Sequence, residues 1–106
     1  MDYVGTWIEV DKTWCWSTIG IDENSKGTYT YAGMTHECHD RVEGTARLGK
    51  KVLSIGIRKF ELIEPATQIP DTIFNSGYTT SNMRMKVKIP IWLAASGSIV
   101  TLYKKK

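Results

Sequence analysis

With 106 residues, 42% of them hydrophobic and 24% charged, the chain is long enough for one packed domain and too balanced in composition for intrinsic disorder. Its formal charge of +3 resides in Lys104, Lys105 and Lys106; without this basic tail 11 basic and 11 acidic side chains balance, which argues against nucleic acid as a partner, since that needs a basic stripe on the fold itself. The longest run free of charged and strongly polar residues, 89–95, is too short for a transmembrane segment, which takes about 20 residues as a helix.

In chain order, period-2 alternation dominates and helical periodicity is nearly absent. Strands are predicted over 3–10 and 14–21, followed by a turn over 22–27 rich in Asp, Asn, Ser and Gly. A third strand covers 28–34, and the polar segment 35–41 connects it to a fourth over 42–48. Gly49-Lys50 reads as a tight hairpin turn into 52–55, and Gly56 as a kink or bulge before a strand over 57–63. Residues 65–82 break the rhythm: two prolines and much Thr, Ser, Asn and Gly predict a long loop, with Ile69, Ile73, Phe74 and Tyr78 pinning it over an open end of the core. The strand 83–89 alternates Met83, Met85, Val87 and Ile89 with Arg84, Lys86 and Lys88, and a turn over 94–98 leads to a last strand over 99–103. Seven or eight short strands with turn signals every 8–12 residues define an all-β domain spanning 1–106, a small antiparallel β-barrel or β-sandwich. The cationic ladder on 83–89, with Pro90 beyond it, fits an edge strand protected against edge-to-edge pairing; an edge is also the route to a homodimer.

Three constellations carry possible chemistry. If strands 14–21 and 28–34 pair through an even-length turn, paired numbers sum to an odd value, and Trp14 and Trp16 share a face with Tyr29 and Tyr31. Such a line of rings suits a sugar or an apolar ligand, and it equally suits a core or cross-strand pairing. Cys15 and Cys38 oppose each other directly only if the hairpin centres on Lys26-Gly27, which permits a disulfide; centring one or two residues earlier offsets them. The run His36-Glu37-Cys38-His39-Asp40 holds metal-ligating residue types at no standard zinc spacing, so no metal and no cofactor is expected. Nothing specifies a nucleophile and base, and the chain is not expected to be an enzyme.

Gly5-Thr6-Trp7 resembles the Gly-x-Trp signature of lipocalins and related calycin barrels, and Gly44-Thr45-Ala46 and Leu53-Ser54-Ile55-Gly56 loosely match strands of lipocalin-like domains in short bacterial exported lipoproteins. Lys104 occupies the region where that family places an arginine, and the Thr-Asp-Tyr motif is missing. The resemblance implies a barrel whose closed end is capped by Trp7 and whose cup binds small apolar molecules. The functional expectation is therefore non-catalytic binding of a small apolar ligand or a protein partner, through Trp7, Trp14, Trp16, Tyr29, Tyr31, Phe74 and Tyr78. The alternative is a structural or interaction module with a solid core and no ligand pocket. The location expected is extracytoplasmic, periplasmic or at the cell surface, if a leader has been removed, and cytoplasmic otherwise.

Overall fold

The alternating segments become eight antiparallel strands in a computed structural model that describes residues 3–10, 14–70 and 80–105. They are β1 (Gly5–Glu9), β2 (Cys15–Ile21), β3 (Lys26–Gly33), β4 (Asp40–Gly49), β5 (Val52–Ile55), β6 (Arg58–Gln68), β7 (Thr80–Lys88) and β8 (Ile99–Lys105). Each pairs with the next, and β8 returns to β1 through Trp7↔Lys104, Ile8↔Tyr103 and Glu9↔Leu102, closing a barrel rather than a sandwich. Closure corrects the reading of 83–89 as an edge: β7 is paired on both sides, and its cations face outward, where Arg84 donates to Glu64 at 2.9 and 3.1 Å. The edge-strand route to a homodimer is lost with it, because closing the sheet removes the free edge.

An eight-stranded barrel is just wide enough for its own side chains to fill it. Trp7, Ile19, Tyr29, Leu53, Ile55, Phe60, Met85, Val87 and Leu102 are fully buried and form one cluster, with the Tyr29 and Phe60 rings 5.1 Å apart. The one fully buried polar side chain among the described residues, Ser17, shares a 2.9 Å hydrogen bond with the Tyr29 hydroxyl, so the interior polar groups satisfy each other.

The β2–β3 turn overturns the expected parity. Asp22 accepts from the Asn24 and Lys26 amides through its carboxylate, both at 2.9 Å, and Ser25 adopts a left-handed φ of 64°. That makes a three-residue loop of Glu23, Asn24 and Ser25, a type I turn closed by a left-handed residue. Paired numbers then sum to an even value, as in Ile19↔Tyr29 and Trp16↔Ala32. Tyr29 and Tyr31 consequently share the inner face with Ser17 and Ile19, while Trp16 joins Ala32 and Thr30 on the outer one.

Two more boundaries shift. Gly56, with φ 61°, and Ile57 are the central residues of the β5–β6 hairpin, so Ile57 sits in a turn and not in a strand. Pairing of β6 continues through Pro65 to Gln68, with register shifts at Leu62/Glu64 and Glu64/Thr67 that let a proline sit in a strand. Strand structure thus extends into both ends of the segment 65–82 read as a loop, to Gln68 and from Thr80; Ile69 is buried and its amide donates to the Asn82 carbonyl at 2.7 Å, and Ile73 lies outside the described residues.

Candidate functional site

The up-and-down topology sorts every connection to one of two ends. Tyr3, the β2–β3 and β4–β5 turns, the β6–β7 connection and the end of β8 lie at one, here the sealed end. There Tyr3 is buried against Trp7, its carbonyl accepts the Trp7 indole N–H at 2.9 Å, and its hydroxyl accepts the Ala66 amide at 2.9 Å. Lys104 Nζ lies 6.0 Å from the Trp7 ring centroid, within cation–π range. Gly5 has φ 137°, and a Cβ there would stand 2.7 Å from Lys104 Cε, so the glycine of Gly-x-Trp lets the lysine stem reach the tryptophan.

The opposite, loop end carries the β1–β2, β3–β4, β5–β6 and β7–β8 connections. The β7–β8 segment, 89–98, folds across the mouth: Ile89 and Leu93 are buried, and the Ala94 amide donates to the Asp40 carboxylate at 2.9 Å. Between this segment and the starts of β2 and β4 lies a concavity of about 550 Å³ lined by Trp14, Tyr31, Thr35, Glu37, Ala94 and the Cys15–Cys38 disulfide. The disulfide does not bridge two paired strand positions. Cys15 pairs with Gly33, and the β3–β4 loop turns back so that Cys38 lies over that glycine, its Cα 5.6 Å from that of Cys15. A Cβ on Gly33 would come within 2.8 Å of the Cys15 Cα and 3.0 Å of the Cys38 Cβ, so the bridge needs glycine at this position.

Most of the exposed large apolar side chains among the described residues gather at the same end; Leu48 (46%) and Ile63 (43%) are the exceptions and line, with Tyr3 and Pro65, a concavity of about 510 Å³ toward the sealed end. Trp14 (67% exposed), Met34, Ile57 (88%), Ile91 (67%), Trp92 (80%) and Ile99 all belong to loop-end connections or the strand residues next to them. Ile57, Ile91 and Trp92 line one further hollow of about 310 Å³ together with Arg58, Lys59 and Pro90. Trp92 also has a left-handed φ of 72°, a conformation that costs a bulky L-residue roughly 1–2 kcal/mol and earns no burial here.

The predicted site residues are thus separated rather than assembled. Trp7 is core at the sealed end, Tyr29 is core at mid-barrel, Trp16 lies on the outer wall, and Trp14 and Tyr31 meet at the loop-end concavity. Phe74 and Tyr78 lie outside the described residues. Burial pushes the Tyr29 hydroxyl up to about 12, with the Ser17 hydrogen bond opposing the shift, so it stays a neutral donor and acceptor. Among the described residues no three His, Cys, Asp or Glu side chains converge to hold a metal ion, and Cys38 is engaged by Cys15. Ile57, Ile91 and Trp92 were not singled out by the sequence reading. The available signal was their placement: isoleucine in a two-residue turn, and Ile-Trp just after a proline in a connection, where polar residues are usual. Compared with protein-family models, curated proteins and solved structures, the chain matches none.

Proposed function

We propose that this protein is a non-catalytic binding module that makes contact through the exterior of its loop end, with the barrel as a filled, rigid support. The observation that carries this reading is the gathering of most exposed large apolar side chains, and of the most exposed ones, Ile57 and Trp92, at one end of a molecule whose interior is occupied by its own residues. A large apolar surface left in water is unfavourable for an isolated domain, so a partner that covers it is the economical explanation.

The eight-stranded closed barrel, the Gly5-x-Trp7 signature on β1 and the seating of Lys104 against Trp7 support kinship with lipocalin-like domains. Trp7 fits the capping role that the resemblance implies. The cup does not carry over as a binding site, because Tyr29, Phe60 and Met85 fill the space it would need. The disulfide supports a location outside the cytoplasm, where such bonds persist. A second reading rests on the concavity of about 550 Å³: a small ligand with a planar or sugar face seated against Trp14 and Tyr31.

Titration with a long-chain fatty acid and with an anilinonaphthalene dye tests the proposal. The expected result is no saturable uptake of fatty acid and no rise in melting temperature, with any dye that binds being released by Ile57→Ser or Trp92→Ser at the loop end. A saturable, stabilising interaction that survives Trp14→Ser and is removed by altering Phe60 or Met85 would place the site inside the barrel and overturn it.

A further inference from the structure

The charge beside the apolar side chains narrows the partner. The hollow of about 310 Å³ sets Arg58 and Lys59 beside Ile57, Ile91 and Trp92. A neighbouring one of about 200 Å³ shares Lys59 and Ile91 and adds Lys88, with Glu61 as its carboxylate. The ion pairs among the described residues involve none of these three cations. Resting on the proposed use of the loop end, we infer that this end docks on an anionic lipid bilayer, with Ile57, Ile91 and Trp92 seated in the headgroup layer and Arg58, Lys59 and Lys88 against lipid phosphate.

Shape favours a bilayer over a protein. The three apolar side chains project from two separate connections, each at least two-thirds exposed. A protein partner would have to match such isolated knobs with preformed pockets, whereas a headgroup layer accommodates them, and tryptophan is at home at that boundary. Cations within reach of the surface add attraction to anionic lipid. The barrel wall limits the depth. Arg41, Glu43 and Arg47 on β4 and Arg84, Lys86 and Lys88 on β7 alternate with the inward residues, the reverse of the apolar outer band of a membrane-spanning barrel. The molecule therefore stands on the bilayer. Glu37 and Asp40 lie on the β3–β4 side of the mouth, which turns the β5–β8 side toward the lipid.

Co-sedimentation of the full chain with phosphatidylcholine vesicles, with and without phosphatidylglycerol, tests this. Binding is expected only with phosphatidylglycerol, and it should weaken as salt is raised. Ile57→Ser and Trp92→Ser should each weaken it about tenfold, from the apolar area withheld from the interface. Arg58→Gln and Lys59→Gln should weaken it about fivefold each, and Lys50→Gln, at the sealed end, should leave it unchanged. Trp92→Gly, which relaxes the left-handed backbone, should weaken binding by about the same tenfold as Trp92→Ser while melting no lower than the parent, separating a contact role from a folding role. No sedimentation with either vesicle, or sedimentation indifferent to these changes, overturns the inference. Self-association through Ile57 and Trp92 without vesicle binding also overturns it, in favour of a second copy, and leaves the loop end as the contact surface. Uptake of fatty acid into the barrel interior would instead remove the proposed function itself.

Discussion

The two ends of this barrel are built from the same strands and answer to different demands. At the sealed end the turns are Asp22-Glu23-Asn24-Ser25 and Lys50-Lys51, polar residues that solvate well and satisfy turn backbone. The apolar groups that close it, Tyr3, Trp7 and Ile69, are buried, while Leu48, beside the Lys50-Lys51 turn, is 46% exposed, less than Ile57, Ile91 or Trp92. At the loop end the corresponding positions hold Ile57, Ile91 and Trp92, and they are exposed. Folding alone accounts for the first end: a tryptophan roofed by a tyrosine and flanked by a lysine stem closes the core. It does not account for the second, where an indole is held on a costly backbone without burial. The contrast separates residues that hold the molecule together from residues that it displays.

Substitutions that sharpen or break this contrast rank by size. Trp7→Ala should cost about 3–5 kcal/mol in chemical denaturation, because the removed ring leaves a void roofed by Tyr3. A loss below about 1 kcal/mol would show that the sealed end is not the anchor. Replacing both cysteines by serine should cost about 3 kcal/mol, from the 23-residue separation that the bond closes, and should loosen the loop end first in hydrogen exchange. Tyr29→Phe should cost about 1–2 kcal/mol, since it leaves the Ser17 hydroxyl buried without its partner. It should also alter the alkaline limb of stability. The folded state holds the Tyr29 proton up to about 12 while the unfolded chain releases it near 10. That contribution is complete below pH 10 and is lost as pH rises through 12, at most about 2–3 kcal/mol in all. Pulse denaturation across that range should show a steeper fall for the parent than for the variant. The smallest effect is expected at the displayed residues: Ile57→Ser and Trp92→Ser should each change stability by about 0.5 kcal/mol or less.

Much of the fold was legible because β structure has a period of two and most strands obey it. Strands 42–48, 52–55 and 83–89 stand out by their alternation, and the turns between strands give a count of seven or eight, of which the structure has eight. Alternation alone left barrel and sandwich open, and the Gly5-x-Trp7 resemblance pointed to the barrel that the structure has; nothing in the alternation marks β1 and β8 as neighbours, whose pairing of Trp7 with Lys104 only the fold brings about. The aromatic site failed on one residue. Ser25 takes a left-handed conformation usually given to glycine, the loop gains odd length, and the tryptophans of β2 part from the tyrosines of β3. The reach of Cys38 back to Cys15 was hidden for a related reason, since it depends on a loop folding over Gly33 and not on strand register. The loop-end cluster depends on topology, because Ile57 and Trp92 are 35 positions apart and share an end only once the strands alternate in direction.

Hydrogen–deuterium exchange of the full chain, alone and with phosphatidylglycerol-containing vesicles, bears most directly on the claim that this barrel works from the outside of one end. The account predicts added protection in residues 56–59 and 89–98 and no change at Asp22–Ser25 or Lys50–Lys51. Protection centred on the sealed end, or spread through the strands that carry Tyr29, Phe60 and Met85 as a ligand inside the barrel would spread it, would contradict it.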